Sequence, residues 1–317
     1  MLEYNIRNDG DNGGVMFVVD MHSDSLGRVT GNVGLVKKYN IPFDHAFLGF
    51  FAAFVPKRGR SAFERRRELM RYMDVYVSEC SRLKLVTVHN CRDLNFATET
   101  ESRSALFSIE GGGGLFADSE ELGTLCKMGL GVMGLAWDGN ELSASSMDER
   151  DTGLSHEGVK MVEKLSESGV IVDVSHMSDK AVADTLETSA YPVIATHSNF
   201  REVCPVSRNL PYDLAKRIVS RGGVIGLSLY PGHLSVERVA DKNDIFAHID
   251  YALDKLGEDS IAFGFDIDGT DGAYPLGFSE SDSIHDTAVD MLSLRYKDRI
   301  TEKIAGGNAI RFLKDNL

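Results

Sequence analysis

Residues 169–198 read GVIVDVSHMSDKAVADTLETSAYPVIATHS, and this stretch decides the fold. Two short apolar runs, Val170–Val174 and Pro192–Ala195, flank an amphipathic stretch, Ser178–Thr188, which opens on a serine suited to capping a helix. Continuous apolar runs are typical of parallel strands that are buried on both faces. The stretch therefore predicts one strand–helix–strand unit of a parallel α/β fold.

The same alternation runs through the whole chain of 317 residues. The predicted strands are Met16–Asp20, Phe47–Phe54, Ala105–Ile109, Gly131–Ala136, Val170–Val174, Pro192–Ala195, Gly223–Leu229 and Ser260–Gly264. The predicted helices are Ser61–Leu83, Ser119–Met128, Ser155–Ser168, Ser178–Thr188, Pro211–Arg221 and Lys242–Leu256, then two within Ile284–Leu317, separated near Lys297–Thr301. Eight strands favour a (β/α)₈ TIM-type barrel over an open doubly wound sheet. The chain is long enough for it, because such a barrel needs roughly 250 residues. We expect one domain over residues 1–317, with a C-terminal helical extension.

The composition excludes several classes of protein. Lys and Arg number 34 against 48 Asp and Glu, and the resulting net charge of −14 disfavours a nucleic-acid or anionic-membrane surface. The most apolar stretch, Ala46–Val55, is about half the length of a spanning helix, and the polar N-terminus lacks the features of a signal peptide. Four cysteines are too few for a disulfide scaffold. We therefore expect a cytoplasmic protein with reduced thiols.

Ionisable residues come after five of the predicted strands. They are Asp20 at the end of the first strand with His22 and Asp24 after it, Glu110 after the third, His176 after the fifth, His197 after the sixth, and Asp266 and Asp268 after the eighth. In a TIM-type barrel the catalytic groups lie at the carboxyl ends of the strands. We therefore expect all of these side chains to converge on one mouth.

Five of these residues form a set of metal-ligand types: His22, Asp24, Glu110, His176 and His197. Three imidazoles and two carboxylates exceed what one tetrahedral zinc uses. With one bridging carboxylate they suit two divalent ions about 3.5–4 Å apart, which can share a hydroxide and polarise a carbonyl. Taken singly, each residue has another interpretation, such as a polar loop residue or a core histidine, so the prediction depends on their conjunction.

The motifs resemble those of the renal (membrane) dipeptidase family of zinc dipeptidases, in the amidohydrolase superfamily. The matching segments are DMHSD at 20–24, IEGG at 109–112, DVSH at 173–176, THS at 196–198 and GGNAIRFL at 306–313. The resemblance implies that His22 and Asp24 bind one zinc, that Glu110 bridges, and that His176 and His197 bind the second zinc.

Two further segments, SRN at 207–209 and GFDIDG at 264–269, also resemble the family. The resemblance implies that Arg208 grips the terminal carboxylate of the substrate, as a guanidinium fork can. It also implies that Asp266 moves a proton as general base and then general acid, while Asp268 orders the loop. A homodimer and tolerance of a D-residue at the C-terminal position are implied by the same resemblance.

One position departs from the family. The mammalian branch has a histidine after the fourth strand, where this chain has Trp137 within LAWDGN at 135–140. Indole offers one N–H donor and no titratable charge. Three interpretations stay open: Trp137 shapes the substrate pocket, Asn140 donates to the scissile carbonyl, or the metal ions suffice.

The resemblance therefore implies hydrolysis of a dipeptide by two divalent ions, with an L-Xaa-D-Xaa dipeptide as one candidate substrate. Zinc is the first expectation for the metal, with manganese, cobalt or iron as alternatives. Another amide-type hydrolase of the superfamily, such as an N-acyl-amino-acid amidohydrolase or a lactonase, would keep the metals without needing Arg208. A non-catalytic metal-binding or scaffold barrel is the alternative from another class.

Overall fold

The computed structural model describes residues 16–29, 47–279 and 283–317. Its strands are β1 (Val18–Ser23), β2 (Phe47–Phe54), β3 (Val86–Thr87), β4 (Ser104–Glu110), β5 (Leu130–Gly134), β6 (Ile171–Asp173), β7 (Ile225–Leu227) and β8 (Ile261–Phe263). They pair in the order β6-β5-β4-β2-β1-β8-β7, and β3 pairs with β4 outside this path. Every pairing between these strands is parallel, as the continuous apolar runs predicted.

Residues 192–195, predicted as the sixth strand, close the barrel without forming a regular strand. One parallel bridge joins Ile194 to Asp173 at the end of β6, and another joins Ala195 to Ile225 at the start of β7. The segment is short and begins with Pro192, which has no N–H to donate to a ladder. We call it the closing segment. It completes a ring of eight and confirms the (β/α)₈ TIM-type fold.

The helices surround the sheet. They are α1 (Ser25–Val29), α2 (Ala62–Leu83), α3 (Cys91–Glu99), α4 (Glu120–Lys127), α5 (His156–Glu167), α6 (Asp179–Thr188), α7 (Tyr212–Ser220), α8 (Pro231–Leu234), α9 (Lys242–Lys255), α10 (Ile284–Ser293), α11 (Asp298–Glu302) and α12 (Asn308–Asn316). The serines at 61, 119, 155 and 178 each accept a backbone N–H three residues on, which confirms them as N-caps. Among the described helices, none is both long and apolar enough to cross a bilayer.

Alternate strand residues pack into two layers. One set, which includes Phe51 and Phe107, packs against the helices. The other set fills the barrel, and there Phe50 packs in one cluster with Phe312 and Leu313 of α12. The C-terminal helical extension therefore caps the amino end of the barrel, which leaves the carboxyl end for the site.

The sequence missed one local unit and one feature of the C-terminus. β3 and α3 form an additional strand and helix between β2 and β4. α10 ends at Ser293 and α11 begins at Asp298, near the predicted break, but a π-helical turn at Lys303–Gly307 joins α11 to α12. A Cβ on Gly306 in this turn would lie 2.1 Å from the carbonyl oxygen of Phe17, so only glycine fits so close to β1. Residues 1–14, on which the expectation of no signal peptide rests, lie outside the described ranges.

Candidate active site

Glu110, the last residue of β4, lies at the centre of three imidazoles. Its Oε1 is 2.8 Å from Nε2 of His176 and 3.3 Å from Nε2 of His197. The same oxygen is 3.7 Å from Nε2 of His22, and the glutamate is buried. These histidines belong to three separate segments of the chain, and the barrel brings them together at its carboxyl end.

A second group overlaps the first through His22. Its Nε2 lies 3.6 Å from Oδ2 of Asp24 and 3.9 Å from Oδ1 of Asp266. Candidate ligand atoms of His22, Asp24 and Asp266 all lie within 4.8 Å of one another, as do those of His22, Glu110 and His197. The structure thus brings together all five predicted metal ligands and the predicted proton carrier.

Backbone geometry turns two of these side chains toward the mouth. His176 and Asp266 have φ angles of 66° and 62°, in the left-handed region that non-glycine residues rarely adopt. Such conformations cost about 1–3 kcal/mol each and cluster at functional sites. Here they lie three residues after the ends of β6 and β8, where the chain must leave the strand and point a side chain inward.

Two buried aspartates hold the strand ends in place. Asp20 accepts the backbone N–H of His22 at 3.1 Å and that of Phe265 at 2.9 Å, which ties β1 to the loop after β8. Asp173 accepts the backbone N–H of Ser175 and of Thr196, both at 2.9 Å. These bonds fix the segments that carry the site, and a sequence pattern does not show them.

The electrostatics of the cluster favour a bound cation. Burial alone would lower the pKa of His22, but the carboxylates of Glu110 and Asp24 around it raise that pKa to about 10. Burial, reinforced by the Asp24 carboxylate, holds the pKa of Glu110 well above its usual range. Burial holds the pKa values of His176 and His197 well below the usual range, so these two rings are neutral.

Buried polar atoms without hydrogen-bond partners also indicate that the cluster fits divalent metal ions. Within the described ranges, Nε2 of His22 and Oδ1 of Asp24 are buried and have no hydrogen-bond partner. Buried polar atoms without partners are rare, and an ion is one of the groups that satisfies them. Imidazole nitrogens and carboxylate oxygens together suit zinc and similar divalent ions.

Arg208 lies beside this cluster and is half-buried. Its Nε donates to Nδ1 of His176 at 3.2 Å, its Nη1 to Oγ of Ser198 at 2.8 Å, and its Nη2 to the carbonyl of His197 at 2.8 Å. A guanidinium has five N–H groups, so each terminal nitrogen keeps one further N–H beyond these bonds. Because Arg208 also lines the cavity, those two donors are suited to an incoming carboxylate.

Trp137 and Asn140 occupy different places in the loop after β5. Trp137 lines the cavity, with its ring centroid 5.1 Å from that of Phe54 and 6.0 Å from that of His176. Asn140 is outside the cavity lining: its Nδ2 donates to the carbonyls of Leu135 and Asp138, and its Oδ1 accepts the N–H of Leu142. Asn140 therefore orders the loop that positions Trp137.

The mouth opens into a cavity of about 480 Å³. Sequence reasoning did not single out several of its lining residues, among them Phe54, Arg58, Met147, Tyr230 and His233. Phe54 ends β2, and Tyr230 and His233 come after β7, so the strand-end rule that found the ligands also applied to them. Arg58 and Met147 lie deeper in their loops, where that rule gives no signal. A cavity of this size suits a small molecule.

A closed parallel barrel places this scaffold in the TIM-barrel class, and the His/carboxylate cluster at its carboxyl end suits divalent metal ions. The chain belongs to the membrane dipeptidase family (peptidase family M19), whose sequence profile matches residues 42–316.

Relatives and solved structures are consistent with this family. Dipeptidase 3 of Mus musculus is 27% identical over 275 residues, which cover 84% of this chain and 54% of the mouse protein. An uncharacterized protein in the pqqA 5′ region of Klebsiella pneumoniae is 31% identical over 188 residues, or 56% of this chain and 69% of that protein. This chain thus spans about half the length of the mouse relative.

A metallo peptidase from Rhodobacter sphaeroides, solved with a phosphinate mimic of the dipeptide L-Ala-D-Ala, has the same fold. It superposes with a TM-score of 0.84 at 20% identity and covers 96% of this chain and 100% of its own.

Proposed function

We propose that this protein is a metal-dependent dipeptidase, which hydrolyses the single peptide bond of a dipeptide. The observation that carries the proposal is the position of Glu110, whose Oε1 lies within 3.7 Å of Nε2 of three histidines. Family membership supports it, since several relatives are named dipeptidases.

Two divalent ions, zinc in the first place, are proposed as cofactors. His22 and Asp24 would hold one ion, His176 and His197 the other, and Glu110 both. Bound there, the ions would activate a water molecule and polarise the scissile carbonyl. The two ligand groups share His22, and this overlap supports a pair of ions over two separate sites.

The protein's own residues would position the dipeptide and move one proton. Arg208 would hold the terminal carboxylate with its two remaining N–H groups. Asp266 would take a proton from the attacking water as the C–O bond forms, and give it to the amine nitrogen as the C–N bond breaks. A cavity of about 480 Å³ would fit a dipeptide and would exclude longer peptides.

Dipeptides with a C-terminal D-residue are proposed among the substrates. The Rhodobacter sphaeroides structure with a mimic of L-Ala-D-Ala supports this, because its fold is that of this chain. A carboxylate held by Arg208 anchors the C-terminal residue without fixing the direction of its side chain. Either configuration would then present its peptide bond to the cluster.

A panel of L-L and L-D dipeptides, assayed with and without a chelator, tests the proposal. We expect hydrolysis that the chelator abolishes and added zinc restores. Glu110→Gln should abolish it, whereas Glu120→Gln, the same change at the exposed start of α4, should not. Hydrolysis that survives complete metal removal would contradict the proposal.

The homodimer stays a prediction, as does the cytoplasmic location. Light scattering at several protein concentrations would test the first, since a stable dimer keeps twice the chain mass of 34.8 kDa on dilution. Fractionation of the source cells would test the second.

A further inference from the structure

We propose that Arg58 forms an anion subsite at the mouth of the cavity, which selects dipeptides whose N-terminal residue carries an acidic side chain. This inference rests on the proposed function and names a substrate class for it. It starts from the contact of Arg58 with Trp137.

The guanidinium of Arg58 is held over an aromatic face. Its Cζ lies 4.2 Å from the centroid of the Trp137 ring, within the range of a cation–π contact. The backbone of Lys57 and Arg58 is also held by hydrogen bonds. The carboxylate of Asp138 accepts the N–H of Lys57 at 2.9 Å and that of Arg58 at 3.1 Å, which ties the loop after β2 to the loop after β5.

This guanidinium has no acidic partner within the part of the chain that the structure describes. Each oxygen of Asp138 accepts a backbone N–H. Glu141, the next carboxylate along that loop, lies 2.8 Å from Arg65 and 3.9 Å from Lys57. In a chain of net charge −14, an exposed arginine on a cavity wall that forms no ion pair with a described carboxylate is suited to an anionic ligand.

The order of the strands places Arg58 across the mouth from Arg208. Around the ring, the sequence is β1, β2, β4, β5, β6, the closing segment, β7 and β8. Arg58 comes after β2 and Arg208 after the closing segment, four places away in a ring of eight. Both residues line the same cavity. The same cavity is lined by Asp24, Glu110 and His176 of the metal-ligand cluster.

The placement assigns the two ends of a dipeptide. With its terminal carboxylate on Arg208 and its peptide bond at the cluster, the N-terminal residue extends toward Trp137 and Arg58. A Glu or Asp side chain there would meet the guanidinium. A neutral side chain would gain only the apolar contact with Trp137 and Phe54, and a basic one would be repelled.

The competing interpretation is that Trp137 selects apolar or aromatic N-terminal residues and that Arg58 only supports its ring. The two interpretations differ on charge. L-Glu-L-Ala and L-Gln-L-Ala have nearly the same shape, so their kcat/KM ratio isolates the charge of the side chain. L-Ala-L-Ala reports whether the protein is a dipeptidase at all.

We expect the zinc-loaded protein to favour L-Glu-L-Ala over L-Gln-L-Ala by about fivefold or more at low salt, and less at 1 M salt. Arg58→Gln should bring the ratio close to one, and Arg58→Lys should restore part of it. Lys57→Gln removes the same charge one residue earlier and serves as the control, because the Lys57 ammonium lies 3.9 Å from the Glu141 carboxylate. The kcat/KM ratio of the two dipeptides should stay at the wild-type value in this variant.

Binding gives a readout that does not need hydrolysis. Trp137 is the only tryptophan, so its fluorescence reports on this subsite alone. In Asp266→Asn, L-Glu-L-Ala should bind more tightly than L-Gln-L-Ala, and the added Arg58→Gln change should remove the difference.

Equal binding of the two dipeptides, or a Glu/Gln ratio that Arg58→Gln leaves unchanged, would overturn the anion subsite while leaving the dipeptidase proposal intact. Preferential binding of L-Glu-L-Ala without hydrolysis of any dipeptide would support the subsite and overturn the dipeptidase proposal instead.

Discussion

The hydroxyl oxygen of Thr196 lies 2.9 Å from Nδ1 of His197, and both residues are buried. The same hydroxyl donates its only proton to Oδ2 of Asp173 at 2.6 Å. It must therefore accept from His197, which places the ring proton on Nδ1 and leaves the lone pair on Nε2. Nε2 of His197 lies 3.3 Å from Oε1 of Glu110, and both atoms would face a shared cation.

Thr196→Val should weaken metal binding, because it removes the acceptor that orients His197. Loss of such an outer hydrogen bond typically lowers metal affinity about 10–100-fold. Thr196→Ser keeps the hydroxyl and should restore most of the affinity. Competition with a chromophoric chelator measures both, and equal affinity in all three proteins would show that Thr196 has no orienting role.

Arg208→Lys should act on the terminal carboxylate of the substrate. Lysine keeps the charge but loses the fork that binds both carboxylate oxygens. We expect kcat/KM for a dipeptide to fall about 100-fold, since a charged, largely buried hydrogen-bonded pair is worth ~2–5 kcal/mol. The kcat/KM for the C-terminal amide of the same dipeptide should fall much less. If dipeptide and amide fall equally, Arg208 is not the clamp; metal content serves as the control, because Arg208 also contacts His176.

The acid limb of the pH–rate profile should report Asp266. Burial raises the pKa of this carboxyl to about 6, against the opposing charge of His22. A general base works in its deprotonated form, so kcat/KM should fall tenfold per pH unit below about pH 6. Asp266→Asn should lower kcat/KM about 10²–10⁴-fold and should remove the acid limb of the profile. A limb that persists in Asp266→Asn at measurable activity would assign it to another group.

His248 should make the folded state sensitive to acid. Burial lowers its pKa to about 4, and its Nδ1 accepts the N–H of Phe200 at 3.2 Å. Between pH 6.5 and 4 the unfolded chain therefore binds a proton that the folded chain does not. The free energy of unfolding should fall by up to about 3 kcal/mol over that range from this group alone.

His248→Asn offers a test of this linkage, since the amide oxygen can accept the same N–H without titrating. Chemical denaturation at pH 7 and at pH 4.5, with a chelator present throughout, gives the loss of stability for each protein. The loss should be smaller in the variant. An identical loss in the two proteins would mean that His248 takes no part.

The site was largely predictable because its chemistry lies at strand ends. A run such as Val170–Val174 indicates a buried parallel strand, and the barrel brings the residues after it, including His176, to one mouth. Glu110 at the end of β4 is found in the same way. No three-dimensional contact was needed for these predictions, only the positions of residues relative to strands.

The features that the sequence did not reveal depend on tertiary hydrogen bonds and packing. The amide of Asn140 was considered as a donor to substrate, but it bonds within its own loop. The bond between Thr196 and Asp173 joins two segments 23 residues apart. Arg58 approaches Trp137 from a different loop of the barrel mouth, which no periodicity encodes.

The metal content of the purified protein tests most directly whether Glu110 joins two divalent ions. After loading with zinc and removal of free metal, elemental mass spectrometry should find two zinc ions per chain in the wild-type protein. Glu110→Gln should hold one or fewer. Activity on L-Ala-L-Ala should rise and fall with occupancy of the pair. A wild-type protein that retains one ion or none per chain, and that hydrolyses dipeptides equally well in either state, would contradict the paired site.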